Sequence, residues 1–325
     1  MVPDSEDPLL RIEDDGRVRT FVLNRPGALN AFNEEMYGLA TAALAEAAAS
    51  PDVAVVVLTG TGRAFSAGTD VVEMAARTHD GGGPPSMFPA MITALADFPK
   101  PLIGAVNGLA LGIGATVLGF ADLVFMADTA RLRCPFTDLA VAPEAASSYL
   151  FPLLLGRQNA TWLLMSSEWF DAEECRAVGL VRKVCRPDQL MAEAMAAARL
   201  LAAKPIASLV ETKRTITAGH RDAIEAARER ENTAFRRLLG QPANMEAFAA
   251  LAARRIPEFA RVDREHPVDV AAHAAEDGAA HAAEDGAAHA AEDGADDGAE
   301  DGADDGAAHA AADGPLATLN PNDGF

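Results

Sequence analysis

Apolar residues in the first half of the chain fall into short unbroken runs, each closed by glycine, proline or asparagine. Val53–Thr59 ends in Gly60-Thr61-Gly62, and Leu102–Val106 lies between Pro101 and Asn107-Gly108. Runs of that length, rich in β-branched residues and bounded by turn formers, predict buried strands. Leu9–Glu13 and Val18–Leu23 read as two more strands, with Asp14-Asp15-Gly16 between them as a hairpin signal. The spacing then changes. Met36, Leu39, Ala43, Leu44 and Ala47 recur at helical intervals, so Glu34–Ala49 is predicted as a helix capped by Asn30 or Asn33. Val71–Arg77 reads as one or two helical turns, 79–85 as a loop of three glycines and two prolines, and Ser86–Phe98 as a further helix.

Helical spacing dominates the second half. Tyr149–Gly156, Ala160–Met165 and Ala172–Val178 read as helices, the last capped by Asp171 and ended by Gly179 before a strand at Leu180–Cys185. Trp162 is expected in the core. Four more helices follow, at Pro187–Ala203, Pro205–Ala218, Arg221–Leu239 and Ala243–Arg254. From Asp263 the pattern dissolves into His-Ala-Ala-Glu-Asp-Gly-Ala-Ala units, repeated at His273, His281 and His289 and then decaying to Ala-Asp-Asp-Gly. Glycine every few residues and no large apolar side chain within the repeats predict a disordered acidic tail, without the fixed geometry of a metal site.

Charge changes the picture only after that tail is set aside. The net −21 over 325 residues divides into −16 for residues 263–325 and −5 for the rest. Neither part has the basic face of a nucleic-acid binder. No apolar run is long enough to span a membrane, and the acidic start MVPDSEDP is unlike a signal peptide. Cys134, Cys175 and Cys185 are odd in number and lack metal-ligand spacing, so free thiols in a reducing cytoplasm are expected.

Candidate chemistry lies where two of the strands end. After Leu102–Val106 the chain turns at Asn107-Gly108 and reaches Gly112-Ile113-Gly114, which opens a helix of small residues. The first N–H groups of a helix have no partner within it, and flanking glycines let a ligand approach the backbone. After Val53–Thr59 comes a similar stretch, Ala64-Phe65-Ser66-Ala67-Gly68-Thr69-Asp70. Two strand–turn elements that each expose peptide N–H groups are what a two-donor oxyanion hole requires. Ser66 does not sit in a hydrolase-type nucleophile elbow, because Ala64 stands where that turn needs glycine.

LNRPGALNAF (23–32), VVVLTGTGRAFSAGTD (55–70), KPLIGAVNGLALGIGA (100–115) and ADLVFMAD (121–128) resemble the crotonase superfamily, the enoyl-CoA hydratase/isomerase family, over roughly Leu9 to Arg261. The resemblance implies an α/β protein of the crotonase (ClpP-like) fold, a spiral of ββα units with a C-terminal helical oligomerisation region. It divides the chain into a core at 1–203 with the CoA-thioester site, a helical region at 204–262 and the tail at 263–325. An acyl-CoA thioester is the implied substrate, with coenzyme A carried by that substrate rather than held as a cofactor, and a homotrimer or hexamer is the implied assembly. No metal, nucleic-acid or membrane partner is expected.

By the same resemblance the oxyanion donors map onto the peptide N–H groups of Ser66 and Ile113. Ala64, Ser66, Ala67, Gly68, Thr69, Asp70, Gly112 and Ile113 map onto the substrate-binding positions. The two glutamates that serve hydration fall at Thr116 and Phe136, and neither side chain can move a proton at neutral pH. Pro143-Glu144-Ala145-Ala146-Ser147 instead resembles the isomerase branch, in which one glutamate shuttles the proton. Glu144 is therefore the expected base and acid, placed in the first turn of a helix, where a plain dipole-favoured glutamate would also fit. Asp138 is the reserve carboxylate for another crotonase reaction, and a non-catalytic acyl-CoA binder is the third reading. Arg25, Lys213 and Arg254-Arg255 could approach a CoA phosphate but read more simply as solvated side chains. His79 reads as a loop histidine rather than a base.

Overall fold

The computed structural model describes residues 7–70, 73 and 86–267. Val71–Arg77 apart from Glu73, the 79–85 loop with His79, and all of the tail beyond residue 267 lie outside the described residues. Through His266 the chain packs as one compact unit.

The early apolar runs form the centre of a six-stranded sheet in the order β1-β2-β3-β5-β7-β10. β1 (Leu10–Asp15) pairs antiparallel with β2 (Val18–Leu23), and Asp15 faces Val18 across a two-residue turn at Gly16-Arg17. The hairpin therefore turns one residue later than Asp14-Asp15-Gly16 predicted. β3 (Val55–Gly60), β5 (Leu102–Val106), β7 (Leu123–Ala127) and β10 (Lys183–Cys185) add on in parallel. Val55, Val56, Val57, Ile103, Val106 and Met126 are fully buried. Parallel sheets covered on both faces demand such continuous apolar runs.

Each central strand hands the chain to a short strand of a second, four-stranded sheet, ordered β4-β6-β8-β9. β3 leads to β4 (Ala64–Ser66), β5 to β6 (Leu109–Leu111) and β7 to β8 (Arg131–Arg133), with β9 (Phe170–Asp171) closing the edge. A helix follows each strand pair. α1 (Glu34–Ala49) follows the hairpin, α2 (Phe88–Ala96) precedes β5, and the short α3 (Ile113–Thr116) precedes β7. That repeat of two strands and a helix is the spiral of ββα units expected above.

Asn33 caps α1, its side chain accepting the Met36 N–H at 2.9 Å. Asn30 is engaged elsewhere, where its amide donates to the Thr61 and Ala64 carbonyls and tethers the segment before β4. Leu39, expected on the buried face of α1, is 39% exposed, and Tyr37 is buried in its place.

The second half is helical: α4 (Ser147–Leu155), α5 (Arg157–Ser166), α6 (Ala172–Ala177), α7 (Leu190–Ala202), α8 (Ile206–Thr217), α9 (Arg221–Leu238), α10 (Pro242–Ala253) and α11 (Phe259–Glu265). Asp171 caps α6 through a reciprocal box with Glu174. Trp162 is 60% exposed on α5, so it is no core residue; Met165 of the same helix and Leu153 and Leu154 of α4 are exposed too. Lys213 is not solvated either. Its ammonium donates to the Asp122 carboxylate at 2.7 Å and to the Lys100 carbonyl at 2.9 Å, which pins α8 to the sheet. No described helix is long and apolar enough to cross a membrane. Cys134, Cys175 and Cys185 are free and buried.

Candidate active site

The two glycine stretches cross. Gly68 and Gly112 both have positive φ, +94° and +50°, and a Cβ on Gly68 would lie 3.0 Å from the Leu111 carbonyl oxygen. At Gly114 a Cβ would stand 2.6 Å from the Ser66 carbonyl oxygen and 2.9 Å from the Ser66 Cβ. The backbones around Ser66 and Ile113 approach this closely only because those side chains are missing. Ile113 is the first residue of α3, so its N–H has no acceptor within the helix.

The Ser66 hydroxyl is committed elsewhere. It donates to the Asn30 carbonyl at 2.8 Å and accepts the Gly68 N–H at 3.2 Å, and the residue is fully buried. That arrangement leaves no role as a nucleophile and fixes the following loop. Ala64 also lies behind the wall, where its carbonyl accepts from the Asn30 and Asn107 amides. Ala64 and Ser66 are both buried in β4, so only backbone atoms of this strand could meet a ligand.

Ala67, Gly68, Thr69, Gly112 and Ile113 line a cavity of about 640 Å³, and Glu144 stands in the same cavity. Phe235 of α9 and Ala247, Phe248 and Leu251 of α10 close it from the C-terminal side, so the site draws on residues beyond 1–203. A second cavity, of about 330 Å³, is lined by Tyr37, Asp70, Phe88 and Glu231 among others, and Glu144, Thr69 and Phe235 line both. Glu144 thus forms part of the wall the two cavities share.

Glu144 is half-buried, and no hydrogen bond or ion pair engages its carboxyl group among the described residues. It does not lie in the first turn of a helix. α4 begins three residues later, after Ala145 and Ala146, both in the left-handed region at φ 58° and 56°. Pro143 and the alanine run resemble a helix start, but the left-handed pair delays it, so a capping role for the side chain falls away. Burial, with a smaller push from the neighbouring Glu231 carboxylate, raises the Glu144 pKa to about 8. The same burial and the nearby Glu144 push the Cys134 thiol well above its usual range.

Asp138 lines the larger cavity but is exposed, and Arg133 holds it in an ion pair. Arg133 and Arg131 in turn lie over the Trp169 ring, 5.6 and 5.4 Å from its centroid. Arg25 is half-buried and donates to the Asp70 carboxylate at 2.6 Å, joining the loop before α1 to the segment after β4. That pairing accounts for Arg25 as a brace rather than a solvated side chain. Arg255 reaches the cavity wall while bonded to Glu246, and Arg254 takes a left-handed conformation that ends α10. Thr116 and Phe136, which the resemblance places at the hydration positions, are buried, and among the described residues the Thr116 hydroxyl has no hydrogen-bond partner. Glu231 carried no local signal in the sequence: it sits in a charged helix segment, Arg228-Glu229-Arg230-Glu231, that reads as solvated.

Spiral, crossing glycines and covered cavity together define a crotonase-fold protein. Residues 13–261 match the family described as enoyl-CoA hydratase/isomerase, and the chain belongs to that family. It is 32% identical over 251 residues to the 1,2-epoxyphenylacetyl-CoA isomerase of Escherichia coli (strain K12), covering 74% of this chain and 94% of the relative. It is 32% identical over 232 residues to the enoyl-CoA delta isomerase 2 of Rattus norvegicus, covering 69% of this chain and 58% of the relative. Among solved structures it is similar to the enoyl-CoA hydratase EchA8_6 from Mycobacterium marinum. There the TM-score is 0.63 and the identity 60%, over 65% of this chain and all of that one.

Proposed function

We propose that, within this family, the chain shifts a double bond, converting a 3-enoyl-CoA to the conjugated 2-enoyl-CoA with Glu144 as sole base and acid. One observation carries the reading: Glu144 stands in the cavity wall with no hydrogen bond or ion pair to its carboxyl among the described residues, while Thr116 and Phe136 stand where the resemblance puts the two glutamates of hydration. The similarity to the enoyl-CoA delta isomerase 2 of Rattus norvegicus supports the same direction.

The thioester oxygen sits at the crossing, between the peptide N–H groups of Ser66 and Ile113. Glu144 as carboxylate takes a proton from C2. The C–H electrons become the C2–C1 bond of a dienolate whose charge rests on the thioester oxygen, and each N–H contributes about 3 kcal/mol to holding it. Glu144, now protonated, returns the proton to C4, and the double bond comes to rest between C2 and C3. A pKa of about 8 suits a group that must both take and give that proton near neutrality. Asp138 is a poor alternative base, because Arg133 already holds its carboxylate.

The test is product identity in deuterated water. Turnover of a 3-enoyl-CoA should give a conjugated thioester, seen by its ultraviolet absorbance, with solvent deuterium entering at C2 or C4. A 3-hydroxyacyl-CoA formed from a 2-enoyl-CoA, with no shift of the 3-enoyl substrate, would replace isomerisation by hydration. Binding with neither reaction would leave an acyl-CoA binder.

A further inference from the structure

We propose that Glu231, on a helix outside the strand–turn core, is a positioning residue that holds the turn presenting Glu144. This rests on the assignment of Glu144 above. Glu231 is 5% exposed, and its two carboxylate oxygens accept the N–H groups of Ala146 at 2.7 Å and Ser148 at 2.8 Å. Those donors lie at the start of α4, where a local serine, threonine, aspartate or asparagine ordinarily supplies the acceptor. Ala146 has no side-chain oxygen to offer, and no side chain caps α4 locally. A carboxylate 85 residues away in the sequence does it instead.

The turn needs holding. Ala145 and Ala146 are consecutive alanines at positive φ, a conformation a residue with a Cβ keeps only where its surroundings impose it. Relaxation of either would swing Glu144, immediately before them, away from the cavity wall. The chemical identity of the clamp matters as well. No cation forms an ion pair with Glu231 among the described residues. Burial pushes its pKa up, and the Ser148 and Ala146 donors pull it back by favouring the carboxylate, which accepts both bonds where a neutral glutamine could accept one. That charge borders the same 330 Å³ cavity as Glu144.

Other titratable groups also surround Glu144. Glu34 and Tyr37 face it from α1, Asp70 and Glu73 from the segment after β4, and Cys134 from the stretch after β8. Across the larger cavity stand Arg133, Asp138 and Arg255. Glu231 is distinguished from these by touching the turn itself.

Three variants of the full chain separate the roles. Glu231→Ala should speed amide exchange at Ala146 and Ser148 at least about tenfold while the central strands stay protected, a readout that needs no substrate. Glu231→Gln should move the acidic limb of the kcat profile about one unit toward lower pH, because the neighbouring negative charge is gone. Glu231→Asp, which keeps the charge but shortens the reach, should lower kcat about tenfold with KM little changed and the pH limb in place. Unchanged exchange at Ala146 and Ser148 in the alanine variant overturns the clamp. An unmoved pH limb in folded Glu231→Gln overturns the electrostatic part. Full turnover by Glu144→Gln would instead remove the assignment of Glu144, and the exchange result would still report whether Glu231 holds the turn.

Discussion

The two halves of the candidate site are built by opposite means. The crossing of residues 66–69 with 111–114 is made of backbone, set by strand ends, by glycines whose missing Cβ atoms permit contact, and by the Ser66 and Asn30 side chains tied into the core. The acid side is made of one side chain on a left-handed turn, held by a carboxylate from a remote helix. A backbone donor survives many side-chain changes, whereas a base on a turn is lost by one. The anion-binding half is therefore expected to be the shared frame of this fold, and the acid half the part that decides which reaction runs on it.

Glu144→Gln gives the largest effect that this contrast implies. The amide keeps the shape of the turn but cannot take a proton, so kcat should fall about 10³-fold, within the range that general acid–base groups contribute, with KM little changed. Exchange of the C2 proton with solvent, followed by NMR on the thioester, should vanish with it. Residual exchange at the wild-type rate would mean that another group removes that proton.

Gly114→Ala attacks the other half. A Cβ there would sit 2.6 Å from the Ser66 carbonyl oxygen, a backbone atom, so α3 and the end of β4 must part. Displacing one donor should cost about 10²-fold in kcat, the size of a lost oxyanion contact. Steady-state kinetics beside a melting curve separates this from simple unfolding. A folded variant with unimpaired kcat would show that the close approach at Gly114 serves packing alone.

The same division governs what the sequence reveals. The crossing is legible because its parts are local: apolar runs mark β3 and β5, turn formers mark their ends, and Gly68, Gly112 and Gly114 stand where the backbone must bend or touch. A cap for α1 at Asn30 or Asn33 is legible for the same reason, and the structure selects Asn33. The acid side is only half legible. Glu144 is singled out by resemblance to the isomerase branch, and the structure puts it in the cavity wall, but Pro143 followed by alanines imitates a helix start and hides the left-handed pair at Ala145 and Ala146. Glu231 and Lys213 look like solvated charges because the N–H groups and the carboxylate they meet lie 83 to 91 residues away. Trp162 fails in the other direction, since helical spacing identifies an apolar face but not whether anything in the same chain covers it.

A smaller effect sharpens the acid half. With its pKa at about 8, Glu144 is mostly protonated in the free enzyme at neutral pH, and only the carboxylate can start the reaction. The value of kcat/KM should rise about tenfold per pH unit below 8 and level off above it. An ordinary exposed glutamate would instead give a plateau from about pH 5 upward. A flat profile between pH 6 and 9 would count against Glu144 as the base, or against its burial in the free enzyme.

The smallest effect concerns stability, and it separates the electrostatics of Glu144 from its chemistry. A carboxyl whose pKa is 4.5 in an exposed setting and about 8 in the folded chain binds its proton more tightly when folded. The folded state is thus favoured by this group at low pH, and that contribution disappears as pH rises from about 4.5 through 8, where a charge must be kept in the cavity wall. Glu144→Gln never acquires the charge. Its melting temperature should match the parent at pH 4 and exceed it by a few degrees at pH 9, since about 1 kcal/mol moves the midpoint by about 2–4 °C in a chain of this size. Gly114→Ala should show no such pH dependence, because its defect is a steric one in the backbone crossing. If Glu144→Gln is instead destabilised equally at both pH values, the carboxyl is making a native contact that the open cavity wall does not provide.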